Sequence, residues 1–114
     1  MDAPSHGGAA ALRVLGAGTS DPSKLVVQVA LSNLGSVPLS LAPGLFEVET
    51  DNGLLYQGSA LELSNTGPCR SDARLGIGGE AECYLVFHPS KLPVVRVSYN
   101  LDDGSSVGVD VTIH

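Results

Sequence analysis

Tryptophan is absent from the 114-residue sequence, and aromatic residues make up only 4% of it. Charged residues are also scarce at 16%, whereas 43% of the residues are hydrophobic, a balance that argues against a disordered chain. Basic residues are the scarcest charges, because 6 Lys and Arg stand against 12 Asp and Glu. The resulting net charge of −6 argues against a nucleic-acid partner or an anionic membrane surface, both of which need clustered Lys and Arg.

Long hydrophobic runs are missing as well. No apolar stretch approaches the ~20 residues of a transmembrane helix, so we expect no membrane insertion by this chain. Residues 1–11 have neither the basic region nor the apolar region of a signal peptide, and we interpret them as a flexible tail. Residues 12–114 have the length of one compact domain.

The sequence has only two cysteines, Cys69 and Cys83, with thirteen residues between them. This spacing is too wide for a Cys-x-x-Cys redox motif, and two cysteines are too few for a tetrahedral zinc site. A disulfide between them would remove denatured-state entropy corresponding to about 3 kcal/mol. We predict a Cys69–Cys83 disulfide, which suits an exported domain; two separate buried thiols are the alternative.

Alternation of apolar and polar residues dominates the chain, and no long stretch has apolar residues at helical spacing. Alternation predicts strands, because successive side chains of a strand point to opposite faces. The clearest predicted strands are residues 25–32, 81–88, 94–99 and 107–113. Further strands are predicted at residues 12–17, 37–41, 45–50 and 54–57.

Turn-forming residues separate these segments. Asp51-Asn52-Gly53 predicts a hairpin in which Asn and Gly supply the positive φ angles of a tight turn. Gly78-Gly79 and Asp102-Asp103-Gly104 predict two further reversals of the chain. Residues 59–72 are expected to form a long connection with one short extended piece.

The number and spacing of these segments predict the architecture. Seven or eight short strands, with turn residues between them, are typical of an all-β, immunoglobulin-like antiparallel β-sandwich. Edge strands of such a fold need protection from pairing with other chains, and we expect Pro38 and Pro93 to provide it.

Residues that would carry catalysis are sparse. The three histidines lie in the predicted tail, at a strand end and at the last position, as His6, His88 and His114. No Gly-x-Ser-x-Gly, His-Glu-x-x-His or phosphate-loop motif occurs. We therefore predict that the chain is not an enzyme and has no cofactor, with a hydrolase as an alternative.

Oxygen ligands for a metal ion are the other chemistry to consider. Asp102 and Asp103 are calcium candidates, because they precede Gly104 and Ser105 in an oxygen-rich segment. The segment lacks the spaced carboxylates and closing Glu of an EF-hand, and a hairpin turn accounts for it equally well. A small-ligand or calcium-binding carrier is thus an alternative function.

Four polar residues receive structural interpretations. Asn33 is expected to bond to local backbone where a strand ends. Tyr56, Tyr84 and Tyr99 could form a carbohydrate platform, but we assign them to a core and its margins.

Short motifs between Leu25 and Tyr99 carry a family resemblance. They are Leu25-Val26-Val27-Gln28-Val29, Asn33-Leu34-Gly35 with Val37 and Leu39, Phe46-Glu47-Val48, Asp51-Asn52-Gly53 with Tyr56, Gly79-Glu80, Leu85-Val86-Phe87 through Pro89, and Val97-Ser98-Tyr99. With them the chain resembles a bacterial family of secreted proteins and lipoproteins with a telokin-like immunoglobulin sandwich. That family is a domain of unknown function, related in fold to a mycobacterial immunoprotective secreted antigen. The resemblance implies a fold and an extracytoplasmic location, and it transfers no catalytic residue.

Together these observations predict a non-catalytic, exported binding or accessory module at the bacterial cell envelope. Its partner is expected to be a protein or another envelope component, and its location periplasmic, secreted or lipid-anchored through a removed N-terminal segment. We expect recognition by loops on a rigid frame, first of all residues 59–72, residues 89–93 and the turn near Asp102.

Overall fold

The alternating segments form strands in the computed structural model, which describes residues 5–6, 10–21, 24–60, 73–89, 93–101 and 104–113. The strands are β1 (Ser5–His6), β2 (Ala10–Asp21), β3 (Lys24–Asn33), β4 (Leu39–Ser40), β5 (Phe46–Thr50), β6 (Leu55–Gln57), β7 (Ser59–Ala60), β8 (Arg74–Leu75), β9 (Glu80–Phe87), β10 (Val94–Asn100) and β11 (Ser106–Ile113). Seven of them have three or more residues. Within the described ranges the one helical element is a 3-10 turn, η1 (Pro43–Leu45).

Two main sheets make up the fold. The first sheet has the order β1-β2-β3-β9-β7, and the second sheet has the order β11-β10-β5-β6. A third, two-stranded sheet joins β4 to β8. All of the strand pairings among the described residues are antiparallel. The chain is an all-β antiparallel sandwich of immunoglobulin-like type, and this prediction is confirmed.

The hydrophobic core lies between the two main sheets. In β3 the four alternating residues Leu25, Val27, Val29 and Leu31 are fully buried. The side chains between them are half-buried, apart from the buried Ala30, so β3 is partly covered on its outer face as well. Strands β2 and β9 of the first sheet contact β10 and β5 of the second sheet, which closes the core between the layers.

Strand β4 is shorter than the strand predicted at residues 37–41. The carbonyl of Val37 accepts a hydrogen bond from the side chain of Asn33, and Pro38 has no backbone N–H to donate to a ladder. Pairing therefore begins only at Leu39. Strand β5 likewise begins one residue late, because Leu45 closes the 3-10 turn that starts at Pro43.

The β5–β6 hairpin has a three-residue loop. Thr50 N–H donates to Leu54 O at 3.0 Å, and Gly53 N–H donates to Thr50 O at 3.0 Å. Gly53 has a φ of +85°, while Asn52 does not have a positive φ. The prediction of positive φ at both residues was therefore wrong, since the turn is one residue longer than the two-residue loop that needs it.

The β10–β11 hairpin closes in the same way. Leu101 N–H donates to Ser105 O at 2.8 Å, Gly104 N–H donates to Leu101 O at 3.1 Å, and Gly104 has a φ of +88°. The predicted reversal at this position is confirmed by these flanking residues. Asp102 and Asp103 themselves lie outside the described residues.

Of two further expectations, one is confirmed and one is wrong. The chain reverses at Gly78, which has a φ of +76°, and Gly79 N–H donates to Gly76 O at 2.9 Å, although β8 pairs with β4 and not with β9. Pro93 precedes β10, which is an inner strand of the second sheet, so it protects no edge.

The predicted tail and long connection are only partly described. Of residues 1–11, Ser5–His6 pairs with Leu12 and Ala11, and β2 already begins at Ala10. These residues therefore belong to the sheet, whereas the rest of the predicted tail lies outside the described residues. Of residues 59–72, only Ser59–Ala60 is described; it is a short extended piece that pairs with β9.

Candidate functional site

Asn33, the last residue of β3, joins two loops at one end of the first sheet. Its side chain is buried, and its Nδ2 donates to Val37 O at 2.8 Å and to Leu75 O at 3.1 Å. Its Oδ1 accepts from Gly35 N–H at 3.0 Å. The expected hydrogen bonding of Asn33 to local backbone is confirmed. Asn33 also bonds to Leu75, which lies 42 positions further along the chain.

The backbone of Asn33 adds two further bonds to the second loop. Its N–H donates to Gly79 O at 2.9 Å, and its carbonyl accepts from Gly78 N–H at 3.1 Å. One residue thus fixes residues 34–38 and residues 76–79 against each other. We call these two segments the Asn33 loop pair.

Each loop is also anchored to the core. Strand β4 follows the first loop, strand β8 precedes the second, and the two strands pair through Leu39 and Leu75. Both leucines are buried. The loop pair is therefore held by hydrogen bonds at Asn33 and by apolar packing on both sides, an arrangement that limits its motion.

Exposed apolar side chains lie on this fixed loop pair. Ile77 is 63% exposed, Val37 is 60% exposed and Leu34 is 53% exposed. Ile77 and Val37 are the two most exposed large hydrophobic side chains of the described residues. Single exposed hydrophobic residues are common, but a group on neighbouring loops is typical of an interaction site.

Sequence reasoning missed this group. The sequence predicts a strand end at Asn33, a strand from Val37 and a reversal at Gly78-Gly79, and nothing local indicates that Asn33 brings these segments together. The available signal was the placement of large apolar side chains inside turn sequences: Leu34 lies between Asn33 and Gly35, and Ile77 lies between two glycines.

The predicted calcium ligands, Asp102 and Asp103, lie outside the described residues. The residues that flank them form the hairpin described above, which is the turn that the sequence also predicted. Among the described residues, no group of three or more His, Cys, Asp or Glu side chains is arranged to hold a metal ion.

The predicted disulfide involves one described cysteine. Cys83 is buried in β9, and no cysteine among the described residues carries a free thiol. Cys69 lies outside the described residues, so the Cys69–Cys83 pairing stays a prediction.

The tyrosines occupy three different environments. Tyr99 is buried, its hydroxyl donates to Ser40 O at 2.6 Å, and its ring centroid lies 4.9 Å from that of Phe46. Tyr56 is half-buried against the core, whereas Tyr84 is exposed on β9. The assignment to core and margins is confirmed for Tyr99 and Tyr56.

His88 directly follows the last residue of β9, and its side chain is exposed. The other two histidines contribute no described side chain to any site. No helix in the described part of the chain has the length and apolar character to cross a membrane.

Comparison with protein-family profiles and with curated protein sequences gives no match. Comparison with solved structures gives three similar folds. The yjhA protein of Bacillus subtilis is similar with a TM-score of 0.67 and 13% identity, over 86% of this chain and 77% of that one. The secreted protein MPT63 of Mycobacterium tuberculosis is similar with a TM-score of 0.59 and 13% identity, over 89% of this chain and 87% of that one.

The third structure is the ycdA protein of Bacillus subtilis, which is provisionally classed as a lipoprotein. Its TM-score is 0.69 at 16% identity, and the match covers 96% of this chain but only 38% of that one. At these identities the likeness shows the fold.

Proposed function

We propose that this chain is an exported, non-catalytic binding module of the bacterial cell envelope, and that the Asn33 loop pair is its recognition surface for a protein partner. The observation that carries the proposal is the exposure of Ile77, Val37 and Leu34 on two loops that a buried asparagine joins. Removal of such side chains from water in an interface would contribute about 25 cal/mol per Å² of apolar area, against which the entropic cost of association must be set.

Rigidity of the loop pair favours binding. A mobile loop loses conformational entropy when it binds, whereas a loop that is already ordered loses little. The loop pair is ordered in the unbound protein, because Asn33 makes five hydrogen bonds and because Leu39 and Leu75 are buried.

One observation supports an extracytoplasmic location: a secreted protein and a protein provisionally classed as a lipoprotein share the fold. The Cys69–Cys83 disulfide, which is itself a prediction, would persist in an oxidising compartment. A hydrolase is one alternative, and a calcium carrier that uses Asp102 and Asp103 is another. No described residue favours either of them.

Site-specific photo-crosslinking in the producing bacterium tests the proposal. A benzophenone side chain in place of Ile77 should give one discrete crosslinked product in the envelope fraction after irradiation. The matched control carries the same side chain in place of Thr112, which is exposed on β11, and should give none.

A binding assay with the purified crosslinked partner completes the test. Ile77→Asp should weaken binding at least ~10-fold, because a charge would be buried against apolar surface, while Thr112→Asp should leave affinity unchanged. Equal crosslinking from both positions, or equal binding by both variants, would contradict the proposal.

A further inference from the structure

Strand β6 is an open edge of the second sheet. It pairs with β5 on one side, and within the described residues it has no strand on the other side. The direction of its backbone groups follows from the bonds at its two ends. Leu54 O accepts from Thr50 N–H, and Gly58 N–H donates to Phe46 O. The backbone N–H and C=O groups of the even-numbered residues of this segment therefore point towards β5.

Hydrogen-bonding direction alternates along an antiparallel strand. The backbone N–H and C=O groups of Leu55 and Gln57 therefore point away from β5. They make no hydrogen bond within the described residues, and both residues are exposed. Two donors and two acceptors are thus presented in a row at an accessible sheet edge.

The other edges have features that hinder pairing. Strand β11 packs against β1 and β2, and β1 and β7 have two residues each. Strand β2 is itself an edge beyond the two residues that pair with β1, and its register with β3 shifts twice. Strand β6 has no charge, no proline and no register shift, and Leu55 is 58% exposed. Natural edge strands usually avoid this combination, because it favours the addition of another strand.

The surrounding side chains define which strand would fit. On the outer face of the second sheet, Leu55 lies opposite Glu49 and Gln57 lies opposite Glu47. Arg96 of the same face forms an ion pair with Asp110, with a 2.8 Å distance between Nη1 and Oδ1. Arg96 also lies opposite Glu49 in the β5–β10 ladder, and Glu47 Oε1 accepts from Asn100 Nδ2 at 2.7 Å. One guanidinium thus lies among the carboxylates of Glu47, Glu49 and Asp110, so these side chains together keep a net negative charge.

The opposite side of β6 is apolar. Tyr56 is paired with the buried Val48 and packs against the core. A residue added opposite Tyr56 would extend this apolar layer, whereas residues added opposite Leu55 and Gln57 would lie on the acidic face. Lysine or arginine at those two places would pack its aliphatic stem on Leu55 and direct its charge towards Glu49 and Glu47.

We propose that β6 binds an extended peptide segment of a partner protein by strand addition, with basic residues on the outer face and an apolar residue between them. Main-chain hydrogen bonds to Leu55 and Gln57 would supply affinity, and the alternating side chains would supply specificity. A second copy of this chain fits less well, because it brings the same Glu47 and Glu49 and a net charge of −6. This site is separate from the Asn33 loop pair and does not depend on it.

Titration with a synthetic peptide tests the proposal. The probe is an end-blocked Lys-Val-Lys-Val-Lys peptide, and amide resonances of the intact chain are followed by NMR. We expect saturable shifts at Leu55 and Gln57, and at least ~10-fold weaker binding of a Glu-Val-Glu-Val-Glu control peptide. Shifts of equal size with both peptides, or no shift, would overturn the proposal.

Three substitutions at two positions sharpen the test without disturbing the β5–β6 ladder. Gln57→Pro removes an outward N–H and should weaken peptide binding at least ~10-fold, with the resonances of Val48 and Tyr99 reporting an intact core. Leu55→Glu should strengthen binding of the basic peptide, and Leu55→Lys should weaken it. The reverse order, or shifts that depend on protein concentration without peptide, would overturn the basic-segment assignment.

Discussion

At the scale of single residues, Asn33 connects sequence to function most directly. An asparagine after a strand commonly bonds to nearby backbone, and this much follows from the sequence. Its role in joining two distant loops depends on the Leu75 and Gly78 partners, which only the fold brings near. A single buried amide thereby orders the surface that we assign to recognition.

Removal of the Asn33 amide should destabilise the domain. Asn33→Ala leaves the carbonyls of Val37 and Leu75 and the N–H of Gly35 without their partner, and we expect a loss of about 2–4 kcal/mol. Urea unfolding measures the change. Ser32→Ala is the matched control, because its bond to Glu80 is exposed, and its cost should stay below about 0.5 kcal/mol.

Asn33→Asp separates the donor role from the acceptor role. Aspartate keeps an oxygen for the Gly35 N–H, but it turns a carboxylate towards two carbonyl oxygens. It should therefore destabilise at least as strongly as alanine does, and a neutral effect would contradict the assignment of Nδ2 as the essential donor.

At the scale of elements, the two three-residue hairpins are built alike. Gly53 and Gly104 both adopt positive φ at the last loop position, where a side chain on an L-residue is strained. Gly53→Ala and Gly104→Ala should each lower the free energy of unfolding by about 1 kcal/mol, as measured by urea denaturation.

Gly44→Ala provides the control for these hairpin variants. Gly44 lies in η1 without positive φ, and a Cβ added there meets no atom within 4 Å. This substitution should be neutral or slightly stabilising. A cost as large as that of the hairpin variants would show that loss of glycine itself, and not the backbone conformation, is responsible.

The strands themselves could be predicted where one face is buried. Residues of β3, β9, β10 and β11 alternate because their inner faces fill the core, and their predicted positions differ from the observed bounds by only a residue or so at each end. Strand β8 could not be predicted in this way, and β4 was predicted only as part of a longer strand at residues 37–41. Each has two residues, and their pairing depends on contacts made through Asn33.

The candidate surfaces were harder to predict than the strands. Alternation identifies residues that face the core, but it does not tell which turn residues remain exposed or which strand lies at an edge. Leu55 has an ordinary strand sequence, and Ile77 is marked only by its place between two glycines. The proposed roles of both residues depend on loop joining and sheet order. The recognition loops expected at residues 59–72 and 89–93 lie mostly outside the described residues and stay predictions.

At the scale of the whole molecule, the two proposed binding surfaces differ in chemistry and lie on different elements. The Asn33 loop pair presents apolar side chains at an end of the first sheet, and β6 presents backbone groups at an edge of the second. Separate surfaces would let one small domain contact two segments of a partner, or two partners, at once.

Isoleucine methyl NMR tests the central claim, recognition by the loop pair, most directly. The chain has only two isoleucines, the exposed Ile77 and the buried Ile113. Protein labelled at the isoleucine δ1 methyl groups therefore gives one resonance from the proposed surface and one from the core. On titration with solubilised cell envelope of the organism that produces the protein, the Ile77 resonance should broaden or shift while the Ile113 resonance stays unchanged. An unchanged Ile77 resonance, or equal changes in both, would contradict the account.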